Sequence, residues 1–331
     1  MIAVAHRADQ AQRDAYAQAL DARETHVFLD DLPAEMRPAA LRKARVAATW
    51  VPRRELSREQ WAEAESLAFV QCLAAGSDRF PFAWFPEALP IAFNGGASSV
   101  PIAEHALAMI LAAAKRLAVE HARLAQGVFE QQAAQSRRVR GMRALIVGFG
   151  GIGSELGRML AALGVEVHAV NRSGRTEAPV ASCSTLERLP ALLPGMDIVA
   201  LTLPLADATI GLVGARELAL MKDDAILVNV ARGHLLREAD LYAHLRSHPR
   251  FLACLDAWWV EPLSHGKFSI AFPFFELPNV LGSPHNSPIV PGIMADLATA
   301  AARNIVRFLD GDTPLNVARA QDKENLACQQ L

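Results

Sequence analysis

Cysteine is scarce in this 331-residue chain: Cys72, Cys183, Cys254 and Cys328 are widely spaced and none forms a C-x-x-C pair. That pattern excludes a disulfide framework and a structural zinc site. Reduced thiols and no bound metal are expected. An excess of one charge is also missing, since 33 Lys and Arg face 35 Asp and Glu for a formal net charge of −2. No general attraction to nucleic acid or to an anionic membrane follows from such a balance. No run reaches the roughly 18 uninterrupted apolar residues that a membrane span requires. The opening MIAVAHRADQ lacks the basic start and long apolar stretch of a secretory leader. Internal repeats and low-complexity tracts are absent as well. The expectation is a soluble, cytoplasmic protein that binds neither nucleic acid nor membrane.

What the chain does have is apolar content, at 52%, against 21% charged residues. This is ample for packed cores, and the length points to two domains. Short apolar runs alternate with amphipathic segments over the first hundred residues. Strands are expected at Met1 to Ala5, His26 to Leu29, Arg45 to Trp50 and Leu67 to Cys72. Helices are expected at Asp9 to Leu20 and Arg58 to Ser66. One long helix is expected from Ile102 to His121, with Pro101 suited to its start. Gln126 to Gly141 is polar and basic and reads as a helix end plus a connection. The β-α-β pattern restarts at Met142, with strands expected in ALIVG, VEVHAV, MDIVALTLP, DAILVNV, RFLACLD and NVLGS. Alternation of this kind predicts parallel sheets covered by helices. Met294 to Leu309 has helical spacing and is expected to pack back on the first domain.

Gly148-Phe149-Gly150-Gly151-Ile152-Gly153 fits G-x-G-x-x-G between an apolar strand and an amphipathic helix. In that context the first glycine allows a tight turn, the second lets a pyrophosphate approach the backbone, and the third lets helix and strand pack closely. The helix N-terminus then offers N–H groups and a positive dipole end to the phosphates. Where NAD sites usually place a carboxylate after the second strand, this chain has Asn171-Arg172-Ser173-Gly174-Arg175. Arg172 and Arg175 suit a ribose 2′-phosphate, with Ser173 adding a hydrogen bond, so NADP(H) is preferred and NAD(H) remains possible. The alternative is that both arginines are solvated surface charges and either cofactor is accepted.

Three further segments each follow a predicted strand: Asn229-Val230-Ala231-Arg232-Gly233, Asp256 through Glu261-Pro262, and Ser283-Pro284-His285-Asn286-Ser287. Open α/β sheets place ligands at those strand ends, so one Arg, one Glu and one His are expected to converge beside the nicotinamide. Taken singly, Arg232 reads as a surface charge, Glu261 as a loop charge and His285 as a turn residue. His105 and His234 flank these segments. Trp258 and Trp259 read first as core or wall residues.

Together the glycine loop, NVARG, LDAWWVEP and SPHNS resemble, in order and spacing, the D-isomer-specific 2-hydroxyacid dehydrogenases, which include glyoxylate/hydroxypyruvate reductases and phosphoglycerate dehydrogenase. Upstream, Leu73 to Asp78 resembles the family's substrate loop, and Asn94 through Glu104-His105 resembles the entry to its interdomain helix. The resemblance implies two Rossmann-like α/β domains with parallel sheets and an active-site cleft between them. Residues 1–100 plus 288–331 would form the substrate-binding domain and 101–287 the dinucleotide-binding domain. It implies that Arg232 holds the substrate carboxylate and keto oxygen. His285 would exchange the proton with that oxygen, and Glu261 would orient His285 and favour its charged form. Asp256 would bond the nicotinamide carboxamide, and backbone N–H groups at Ala75 and Gly76 would grip the carboxylate. Leu203, Pro204, Val230, Ala231 and, more weakly, Ser99 are further candidate cofactor contacts. The implied reaction reduces a small 2-keto acid to its D-2-hydroxy acid, in a homodimer formed through the cofactor domain. Three alternatives stand: a dinucleotide-sensing binding protein, an NAD-using enzyme like phosphoglycerate dehydrogenase, and a formate or phosphite enzyme. Formate enzymes carry Gln where Glu261 stands. The stretch Leu263 to Pro278, with its FPFFELP run, is longer than the connection the resemblance implies and is a candidate pocket wall, lid or dimer contact.

Overall fold

A computed structural model describes residues 1–21, 24–133 and 135–324; Cys328 lies outside them. The described residues divide into two compact units, 1–98 with 290–324, and Ser99–Ile289. Each is a parallel α/β sheet.

The first unit has five strands: β1 (Ile2–Val4), β2 (His26–Phe28), β3 (Val46–Thr49), β4 (Phe69–Cys72) and β5 (Ile91–Phe93). Their order is β2-β1-β3-β4-β5, and every pairing is parallel. Alternate residues of each strand feed opposite cores, as the period of two requires. Ala3, Ala47, Val70 and Ile91 join one core; Ile2, Val46, Phe69 and Ala92 join the other. The second core is closed by the helix Gln10–Leu20 and the C-terminal helix Ile293–Leu309, through Tyr16, Leu20, Ala298, Ala302 and Ile305. Asp9 starts the first of these helices as expected. Its carboxylate accepts from Gln12 N, while the Gln12 side chain accepts from Asp9 N, a reciprocal cap. The helix expected over Arg58 to Ser66 ends at Ala62 in tight turns that run on to Leu67.

The second unit has seven strands: β6 (Arg143–Val147), β7 (Glu166–Val170), β8 (Ser182–Ser184), β9 (Ile198–Leu201), β10 (Ile226–Asn229), β11 (Leu252–Leu255) and β12 (Val280–Gly282). Their order is β12-β11-β10-β9-β6-β7-β8, again all parallel. The near-continuous apolar runs of β6, β9, β10 and β11 reflect burial on both faces. Chain order reverses at β6, between β9 and β7, which is the switch point where open sheets form a ligand crevice.

The long helix expected from Ile102 to His121 is two helices, Ser99–Ala114 and Leu117–Ala125. Arg116 breaks it in a left-handed conformation, φ +53°. The Ala114 carbonyl accepts from Arg137 N at 2.7 Å and so no longer serves the next helical turn. This tertiary bond has no local sequence signal, since neither Gly nor Pro marks the break. No helix among the described residues is long and apolar enough to cross a membrane.

Candidate active site

The glycine loop and five further segments of the second unit each stand at the C-terminal end of a strand. The glycine loop follows β6, Asn171–Arg175 follows β7, and Leu203 and Pro204 follow β9. Val230, Ala231 and Arg232 follow β10, Asp256 follows β11, and His285 follows β12. Parallel pairing puts all of them on one edge.

The glycine loop turns from β6 into the helix Gly151–Ala162. Gly148 has φ +103°, and a Cβ there would stand 2.4 Å from Leu203 N. A Cβ on Gly153 would stand 2.4 Å from the Gly148 carbonyl oxygen. Gly150 differs, because an added Cβ would meet no atom within 4 Å. Gly150 caps the helix without a side-chain bond, and the first bond back to its carbonyl comes from Ser154 N. The amides of Gly151, Ile152 and Gly153 therefore precede the intrahelical ladder, beside open space. These residues fit a dinucleotide pyrophosphate.

Past β7, Asn171 and Ser173 are occupied within their own loop. Asn171 Oδ1 accepts from Gly174 N at 2.8 Å, its Nδ2 donates to the Arg175 carbonyl at 2.8 Å, and Ser173 Oγ contacts both Asn171 Oδ1 and that carbonyl at 3.2 Å. The two side chains shape the loop, while Arg172 and Arg175 are exposed on it.

The His285 imidazole faces Glu261, with Nδ1 2.8 Å from Glu261 Oε1. Glu261 is buried and also accepts from Trp258 N at 2.9 Å, so its carboxylate is held from two sides. His285 adopts φ +51°, an uncommon conformation that costs a non-glycine residue about 1–3 kcal/mol and persists where neighbours fix it. The neighbours here are Asn286 and Ser287, whose amides each donate to the Asp256 carboxylate at 3.2 Å. Ser283 Oγ donates to the same carboxylate at 2.5 Å, and the Trp258 indole N–H donates to the Ser283 carbonyl at 2.8 Å.

Asp256 is fully buried and its bonds run to the 283–287 turn. Arg232 is half-buried, and its Nη1 donates to the Ala231 carbonyl at 2.8 Å. The turn after it packs directly on the tryptophan pair: a Cβ on Gly233 would stand 2.3 Å from the Trp258 carbonyl carbon. Arg232, Trp258, Glu261 and His285 thus belong to one contiguous backbone assembly. Both tryptophans are core residues. Around Trp258 the 263–278 stretch contributes Phe268 and Phe275, with ring centroids 5.6 and 5.2 Å away.

Ser99 is buried at the start of its helix. In the first unit, Ala75 is exposed and Gly76 half-buried in the loop after β4. Two residues with a part in this geometry carried no role in the sequence reading: Ser283, in a quoted motif, and His105, whose Nε2 lies 2.9 Å from Ser283 Oγ.

The family model for the NAD-binding domain of D-isomer-specific 2-hydroxyacid dehydrogenases matches residues 107–287, more than half the chain. The chain belongs to that family. Among curated relatives, D-3-phosphoglycerate dehydrogenase of Archaeoglobus fulgidus is 29% identical over 216 residues, covering 65% of this chain and 40% of that protein. Hydroxypyruvate reductase of Thermotoga maritima is 31% identical over 191 residues, covering 57% of this chain and 60% of its own length. The chain thus spans only part of the relatives it matches. A family member from Xanthobacter autotrophicus Py2, crystallised with NADPH and MES, has a TM-score of 0.79 and 26% identity, covering 98% of this chain and all of its own.

Proposed function

We propose that this protein is an NAD(P)-dependent oxidoreductase that interconverts a small 2-keto acid and its D-2-hydroxy acid. The reductive direction, with NADPH and a glyoxylate- or hydroxypyruvate-like substrate, is the preferred reading. One observation carries it: the pairing of His285 Nδ1 with Glu261 Oε1 at 2.8 Å, on the same sheet edge as the glycine loop.

A bound reduced dinucleotide supplies a hydride, which is chemistry no side chain here can provide. The amides of Gly151, Ile152 and Gly153 hold the pyrophosphate. Leu203, Pro204, Val230 and Ala231 line the edge beside it. Arg232 holds the substrate carboxylate and polarises the keto oxygen, for which a permanent planar charge is suited. Glu261 engages Nδ1 of His285, so Nε2 is the atom that gives the keto oxygen its proton and takes it back in reverse. Backbone amides at Ala75 and Gly76 are the further carboxylate donors this reading assigns. Asp256 acts by fixing the turn that carries His285.

The NADPH preference rests on Arg172 and Arg175, both exposed in the stretch 171–175, where no residue is Asp or Glu; the relative crystallised with NADPH supports it. Family resemblance further implies a cytoplasmic homodimer assembled through the glycine-loop unit. The test is loss of reduced-nicotinamide absorbance, with NADPH and NADH separately, over a panel of 2-keto acids. Turnover faster with NADPH is expected. Tight dinucleotide binding without turnover on any member would replace this reading with a sensing role.

A further inference from the structure

His105 stands on the helix Ser99–Ala114, beside a face that Ile102, Ala106 and Met109 bury in the core. A polar ring at the margin of such a face needs a partner. Its partner is on the turn that carries His285: His105 Nε2 lies 2.9 Å from Ser283 Oγ and 3.7 Å from Asp256 Oδ1. The Ser283 hydroxyl has one proton, and its 2.5 Å contact with the buried carboxylate claims it. Ser283 Oγ therefore accepts from His105, whose Nε2 carries the hydrogen. The result is a directed chain from His105 through Ser283 to Asp256, whose carboxylate also accepts from the amides of Asn286 and Ser287. His285 sits inside the span these bonds close, in a left-handed conformation it would not hold unaided.

We propose that His105 is a positioning residue: acting through Ser283 and Asp256, it locks the 283–287 turn and so aims the His285 imidazole. The proposal rests on the reading of His285 as proton donor. It assigns the helix Ser99–Ala114 a part in catalysis that reaches the reacting atoms only through other residues. Histidine suits the position because the ring presents a fixed donor. Phenylalanine would fill the same space and leave the Ser283 oxygen without it.

Two readouts on His105→Phe, His105→Gln and Ser283→Ala test the lock. The first is amide hydrogen exchange at Asn286 and Ser287, which needs neither cofactor nor turnover. Loss of a bond to a charge-linked hydroxyl predicts exchange about tenfold faster at these two amides in His105→Phe and Ser283→Ala. Amides of β10 and β11 should keep their wild-type rates. The second readout is steady-state kinetics: kcat about tenfold lower in both variants, with dinucleotide affinity close to wild type. His105→Gln, whose amide nitrogen restores a donor, should recover most of both. Unchanged exchange at Asn286 and Ser287 would overturn the lock, as would equal acceleration across the whole sheet. Loosened amides with wild-type kcat would overturn its catalytic role. Should the wild-type protein reduce no 2-keto acid, the proposed function and with it the aiming of a proton donor fall, while exchange still decides whether the lock exists.

Discussion

Alanine at each of Gly148, Gly150 and Gly153 separates packing from ligand approach. At Gly148 the backbone has φ +103°, and an added Cβ would lie 2.4 Å from Leu203 N and 2.6 Å from Leu203 Cα. Both neighbours are backbone atoms that cannot rotate away. The left-handed conformation costs a non-glycine residue about 1–3 kcal/mol, and overpacking adds about 1–3 kcal/mol. For a unit of this size the sum, about 2–6 kcal/mol, lowers the melting temperature by roughly 5–20 °C. Gly153→Ala meets the Gly148 carbonyl at 2.4 Å without the conformational cost, so it should fall between Gly148→Ala and wild type. Gly150→Ala behaves oppositely. Its backbone is extended, with φ −99°, and the new methyl touches nothing within 4 Å. The free protein should melt within about 2 °C of wild type. The methyl fills the space in front of the helix amides, however, and forfeits charge-assisted bonds worth about 1.5–3 kcal/mol. Dinucleotide affinity should drop about 10- to 100-fold. Thermal denaturation of the free proteins and fluorescence titration with NADPH and NADH measure both effects. Wild-type affinity in Gly150→Ala, or a melting loss equal to that of Gly148→Ala, would refute the division of roles.

Arg172→Ala should weaken NADPH binding more than NADH binding in the same titration; equal losses would remove the 2′-phosphate assignment. Asn304, buried in the first unit, donates to Gln71 Oε1 at 2.6 Å and exchanges bonds with Leu315 N and O at 2.7 and 3.0 Å. Asn304→Ala strands these groups and should cost about 2–4 kcal/mol, read as a lower urea midpoint with an unchanged slope. Burial, and then the His248 ring stacked at 4.0 Å, holds His244 down at about 4. The unfolded chain takes up this proton near pH 6.5. The His244 contribution to stability is therefore complete above pH 6.5 and is lost as pH falls toward 4. His244→Phe should flatten that part of the melting-temperature profile, and an unchanged slope would show that other groups set it.

The strands and their function-bearing ends were legible because doubly buried parallel strands write continuous apolar runs, as in ALIV, IVAL and ILVN, and because glycine loops have local signatures. Elements without such signals escaped. β8 reads Ser-Cys-Ser, a polar edge strand. The break at Arg116 depends on a bond from Arg137, and nothing nearby in sequence announces it. The site shows the same contrast. His285, Glu261 and Arg232 could be named from motifs, and the structure pairs the first two. The burial of Asp256 inside the 283–287 turn could not be named, nor could the link from Ser283 to His105, because they depend on folding that joins residues 27 to 31 positions apart in the first case and 178 in the second. Asn171 and Ser173 bond to each other, to Gly174 N and to the Arg175 carbonyl, a network within the loop that their residue types alone do not announce.

In the proposed function His285, held by Glu261, moves the proton that accompanies hydride transfer to a 2-keto acid. The direct test compares single-turnover reduction of glyoxylate and hydroxypyruvate by NADPH in wild type and His285→Ala. Loss of a positioned general acid predicts a rate about 10²- to 10⁴-fold lower, with NADPH affinity little changed. A His285→Ala protein that reduces these acids at the wild-type rate would contradict the account.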